Sequence, residues 1–129
     1  MASGQPERDD DQVRSQLEQE ILTQLRGFEH SSSPEFAAQV LSVFIDDTSA
    51  RLASLRDALE IGDAKRVYEA AHSIQGSASM IGVTSLASAC RDLASAGRSG
   101  SLDDCKALAA QVTAGFDAIQ RAVADRQTS

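Results

Sequence analysis

The chain has 129 residues, 42% of them hydrophobic, and a formal net charge of −7. That length suits one domain, and an acidic surface repels nucleic-acid phosphate and anionic lipid alike, so neither nucleic acid nor membrane is an expected partner. No apolar run approaches the roughly 20 residues a bilayer span requires, and the opening MASGQPERDDDQ lacks the basic end and apolar stretch of a secretory signal.

The apolar fraction is chiefly Ala, Leu, Val and Ile, and Pro occurs only at Pro6 and Pro34, which favours helix throughout. Residues 1–9 are polar and are expected to form a flexible segment; residues 10–126 are expected to form the single domain. Val13, Leu17, Ile21, Leu22 and Leu25 recur at helical spacing and predict a first helix, with Gly27 as its stop. Ser33-Pro34-Glu35 is a helix start: Ser33 caps, Pro34 suits the first helical position, and Glu35 favours the positive end of the dipole. The second helix is expected over 34–61. Leu41, Phe44, Thr48, Leu52, Leu55 and Leu59 share one face; Phe36, Val40 and Val43 share another.

Asp63 opens a third helix, expected over 63–81, whose stripe is Val67, Ala71, Ile74, Ala78 and Ile81. A fourth, over 84–97, places Leu86, Cys90 and Leu93 inward and is closed by Gly97 and Gly100. Ser101 with Asp104 resembles a capping box for the last helix, over 102–125, carrying Cys105, Leu108, Val112, Phe116, Ile119 and Val123. Short loops between such helices make neighbours antiparallel. The expected fold is all-α: an antiparallel up-down four-helix bundle with an additional N-terminal helix packed on its side or end. Cys90 and Cys105 lie on apolar stripes and read as small core residues, and two cysteines without a disulfide framework suit a cytoplasmic chain. The leading methionine suggests a free-standing protein rather than an excised domain.

Two histidines can carry chemistry. His30, beside a serine run, reads as a solvated loop residue. His72 falls roughly 140° from the mean direction of the third helix's stripe and therefore points to solvent. Tyr68 and Gly76 are one turn to either side, and Lys65, Gln75 and Ser79 complete the patch. A glycine inside a helix costs about 1 kcal/mol against alanine. At Gly76 that cost either clears room over the imidazole or permits close helix packing; the spacing alone leaves both open.

Ala71-His72-Ser73-Ile74-Gln75-Gly76-Ser77-Ala78-Ser79-Met80-Ile81-Gly82-Val83 resembles the signature of histidine phosphotransfer domains, Ala-His-x-Leu-Lys-Gly-Ser-x-x-x-x-Gly-Ala. The continuation Leu86-x3-Cys90-x2-Leu93-x3-Gly97-Arg98-x-Gly100 is similar to the next stretch of that family's pattern, and the likeness runs from about Phe36 into the last helix. The resemblance implies that His72 is the phosphoryl acceptor and donor, in an environment of Gln75, Gly76, Ser79 and Lys65. It implies transfer from an aspartyl phosphate on one receiver domain to an aspartate on another, the partners being receiver domains of response regulators or hybrid sensor histidine kinases. One position departs from the pattern: the family's usual lysine three residues after the histidine is Gln75, which donates a hydrogen bond but no charge. Lys65 or Arg91 would then be the cations able to substitute.

The chain has no Gly-rich phosphate loop followed by lysine and no acidic cluster on an obvious loop. It is expected to have no cofactor of its own and no metal site, with Mg²⁺ brought by the receiver, and not to phosphorylate itself from ATP. Phe36, Val40 and Val43, with Tyr68 and Ser79, are the candidate docking surface; the other reading is that Phe36 and Val40 cover the first helix. A monomer is expected. The alternative function is a non-catalytic helical adaptor that binds signalling proteins without carrying phosphate.

Overall fold

The computed structural model describes residues 6–128 as five α-helices and, among those residues, no strand. They are α1 (Pro6–His30), α2 (Pro34–Ile61), α3 (Ala64–Met80), α4 (Thr84–Ser99) and α5 (Leu102–Thr128). None is long and apolar enough to cross a membrane.

Local chemistry sets most of these boundaries. The Ser33 hydroxyl accepts from the Phe36 N–H at 3.2 Å, and Pro34 occupies the first turn, where its missing N–H has no intrahelical role. Gly62 ends α2 in the left-handed region at φ 73°, so that its own N–H reaches the Leu59 carbonyl and the Asp63 N–H reaches that of Ala58 at 2.8 Å. Asp63 then accepts from the Arg66 N–H at 3.1 Å and starts α3. Gly82, at φ 76°, closes α3 in the same way, with the Val83 N–H on the Ala78 carbonyl at 3.0 Å.

Helix α3 packs most extensively against α4; α4 packs on α5, α2 on α3, and α5 returns to α2. Helix α1 lies against α5 and α4 and scarcely meets α2. The core unites Leu41, Leu52 and Leu55 of α2, Val67 and Ile74 of α3, Leu86 and Leu93 of α4, Val112 and Ile119 of α5, and Ile21 and Leu25 of α1. Each such side chain contributes about 1.5–3 kcal/mol when fully buried. Phe44 and Phe116 meet at 6.1 Å with rings tilted by 60°. Cys90 and Cys105 are buried free thiols within this core.

The structure corrects the sequence reading at several helix ends. Residues 1–5 of the expected flexible segment lie outside the described residues, whereas 6–9 begin α1. Gly27 does not stop α1, which runs on to His30. Phe28 packs on the core, and its carbonyl accepts from the Ser31 and Ser32 hydroxyls at 3.0 and 2.9 Å, so the serine run ends the helix and the glycine does not. Consequently His30 is the exposed last residue of α1 rather than a loop residue. Gly97 likewise does not close α4, which continues to Ser99 and ends at Gly100 with φ 80°.

The N-terminus of α4 is satisfied from a distance. Its cap residue, Val83, has no side chain able to accept a hydrogen bond. Gln24 of α1 accepts from the Ser85 N–H at 2.8 Å and donates to the Ser85 hydroxyl at 2.9 Å. The Ser85 hydroxyl in turn donates to Glu20 at 3.0 Å. Helix α1 thereby supplies acceptors to an otherwise uncapped helix start.

Candidate functional site

Val67, Ala70, Ala71, Ile74 and Ala78 form the buried face of α3, and this stripe fixes the rotation of the whole helix. His72, at the middle of α3, is consequently held on the exposed side. One turn on, Gly76 is also exposed, and a Cβ added there would meet nothing within 4 Å. Close helix packing is therefore not the reason for this glycine. The space beyond the imidazole is open to solvent along the helix.

Tyr68, one turn before, stacks on the His72 ring with centroids 5.6 Å apart and planes 12° from parallel. That is an offset stack, the arrangement aromatic quadrupoles favour. Tyr68 is also tied to α4. The Arg98 guanidinium lies over the phenol ring, its central carbon 5.3 Å from the centroid. Beside it, Gly97 brings the α4 backbone against α3: a Cβ there would lie 3.0 Å from the Tyr68 nitrogen and 3.1 Å from the Ala64 carbonyl oxygen. Tyr68 itself is half-buried and packed on the core.

Of the other expected site residues, Lys65 and Ser79 are exposed and Gln75 is half-buried, all on α3. Arg91 donates to Ser88 on its own helix at 3.2 Å. Among the described residues, the cation that lies over the Tyr68 ring is Arg98, which the sequence marks only as part of the glycine-rich end of the motif. Its contact crosses from α4 to α3, and no spacing along one helix signals it. The stacking of Tyr68 on His72 does have a signal, the separation of four residues on one helix.

Phe36 and Val43 are 55% and 68% exposed, so α1 does not cover them; Val40 is half-buried against the core. Among the described residues no hydrogen bond or ring contact joins Phe36 or Val40 to Tyr68 or His72. Met80, at the end of α3, is 87% exposed, and no sequence signal singles it out. Burial pushes the Cys90 thiol up to about 12, and burial with the nearby Asp104 carboxylate raises that of Cys105, so neither is a ready nucleophile. Among the described residues no three His, Cys, Asp or Glu side chains gather as metal ligands.

Among curated protein sequences, none matches the chain. A solved structure does: the histidine-containing phosphotransfer protein B of Pseudomonas aeruginosa PAO1 is 29% identical, with 81% of this chain and 90% of that chain covered and a TM-score of 0.70. Residues 39–122, which contain the exposed histidine, its open glycine and the α3–α4 contact, match the family model of the Hpt domain. With that match spanning most of the sequence and the fold agreeing with it, the chain belongs to the Hpt domain family.

Proposed function

We propose that the chain is a phosphorelay intermediate: His72 accepts a phosphoryl group from the aspartyl phosphate of one receiver domain and passes it to an aspartate of another. The observation that carries this reading is an exposed imidazole at mid-helix with open space one turn beyond it. Family membership and the likeness to a histidine-containing phosphotransfer protein support a role in a phosphotransfer relay.

A neutral imidazole is a nucleophile near neutral pH. The in-plane lone pair of Nε2 attacks phosphorus, the N–P bond forms as the P–O bond to the aspartyl carboxylate breaks, and the electron pair leaves with that carboxylate; onward transfer is the reverse toward a new carboxylate. The reaction is in-line, and the charge on the moving phosphoryl oxygens must be matched. The receiver brings Mg²⁺, which neutralises those oxygens. This chain supplies the nucleophile on a rigid helix, room at Gly76, neutral donors at Gln75 and Ser79, and a cation on the same helix at Lys65. Phe36, Val40 and Tyr68 form the docking surface.

In the same reading α2–α5 form an antiparallel up-down four-helix bundle with α1 added to it, residues 10–126 are one phosphotransfer domain, and the protein acts as a cytoplasmic monomer. The contacts of α2 with α3, α3 with α4, α4 with α5 and α5 with α2 support this arrangement. The test is incubation with a phosphorylated receiver. Acid-labile, base-stable phosphate is expected on the wild type and none on His72→Gln, whose helical circular dichroism should be intact because the side chain is exposed. Labelling of His72→Gln would contradict the proposal; stable complex formation without label on the wild type would favour an adaptor.

A further inference from the structure

We infer that Tyr68 is a positioning residue for His72: its ring, anchored from α4, holds the imidazole in one rotamer with one face covered and its edge nitrogens free. This rests on the phosphotransfer reading and adds to it a part that the motif does not contain. An exposed histidine on a helix ordinarily samples several rotamers. Here the two rings lie within 12° of parallel. The lone pair of an imidazole nitrogen lies in the ring plane, so a partner stacked on the face restricts the ring without obstructing attack. The phenol face is electron-rich. It also favours the imidazole as that ring becomes electron-poor on bonding to phosphorus.

The anchor is what separates this from a chance surface contact. A tyrosine free to swing would restrict nothing. Tyr68 is packed on the core, its backbone is pressed by α4 at Gly97, and its ring lies against Arg98. Orientation of a nucleophile matters most when an attacking atom must meet a bound phosphoryl group in line. The gain should therefore lie in the transfer step rather than in docking.

The experiment compares wild type, Tyr68→Leu and Tyr68→Phe by the ring-proton NMR shifts of His72, with His30 as internal control, and by transfer from a phosphorylated receiver over a range of its concentration. The wild type should show a ring-current shift at His72 that Tyr68→Leu loses and Tyr68→Phe retains. Tyr68→Leu should lower the maximal rate about two- to tenfold, the scale of an aromatic pair, over and above any rise in the half-saturating receiver concentration that loss of a docking contact brings. Tyr68→Phe should recover most of that loss. Identical His72 shifts in wild type and Tyr68→Leu would overturn the inference, as would a loss confined to the half-saturating concentration. If the wild type shows the shift but takes no label, the phosphotransfer reading itself fails, and the role given to the stack falls with it.

Discussion

Gly76 and Gly97 are both glycines inside long helices, and each costs its helix about 1 kcal/mol relative to alanine. At Gly97 the missing Cβ is needed by the chain itself, because the backbone of α3 lies 3.0–3.2 Å from where it would be. At Gly76, among the described residues, nothing beyond the helix's own backbone lies within 4 Å of that point. One glycine is accounted for by the fold; the other meets no packing partner among the described residues. It is exposed one turn from an exposed imidazole, where the proposed function needs open space. Packing explains the first region; under the proposed function, room for a partner's phosphoryl group would explain the second.

The widest separation between the two positions should come from bulk. Gly76→Leu is expected to keep or raise the melting temperature while lowering phosphoryl transfer from a receiver about tenfold or more, since it fills the approach that an in-line reaction needs. Full transfer by this variant would remove the functional reading of Gly76. Gly97→Ala should do the reverse: thermal or denaturant unfolding should show a loss of about 1–3 kcal/mol, the range for overpacking a tight contact. An unchanged midpoint would mean that α4 can retreat from α3 at no cost.

A smaller effect is expected at Gln75. Gln75→Lys places a charge where the family usually has one, and should lengthen phosphohistidine lifetime several-fold, on the order of one charge-assisted hydrogen bond (~1 kcal/mol). An unchanged lifetime would show that this position does not handle phosphate. The smallest effect at neutral pH belongs to the core. The folded chain holds the Cys90 proton to about 12 against an ordinary 9.0. The unfolded chain therefore loses that proton first. The contribution is complete below about pH 9 and disappears as pH rises from there toward 12. Cys90→Ala should flatten this alkaline loss in a pH series of unfolding midpoints; an identical alkaline slope would mean that other groups set it.

Much of the architecture is legible in the sequence because local rules decide it. Ser33-Pro34, Asp63 and the glycines at 62, 82 and 100 mark helix ends by capping and by left-handed backbone, and both operate over a few residues. His72 is legible because the stripe of Val67, Ala71, Ile74 and Ala78 fixes which way α3 faces. Gly27 and Gly97 read falsely as stops because a glycine letter does not say whether it turns the chain or admits a neighbour. The helix carries through both, and only the facing helix reveals why Gly97 is there. Gln24 at Ser85 and Arg98 at Tyr68 join different helices, so no periodicity within either one announces them.

The most direct measurement is a phosphorus–proton correlation spectrum of the wild-type chain after incubation with a phosphorylated receiver. A phosphorus resonance coupled to both carbon-bound ring protons of His72, as attachment at Nε2 requires, is the expected result. Phosphate on His30 or on a serine, or no protein-bound phosphate at all, would contradict it.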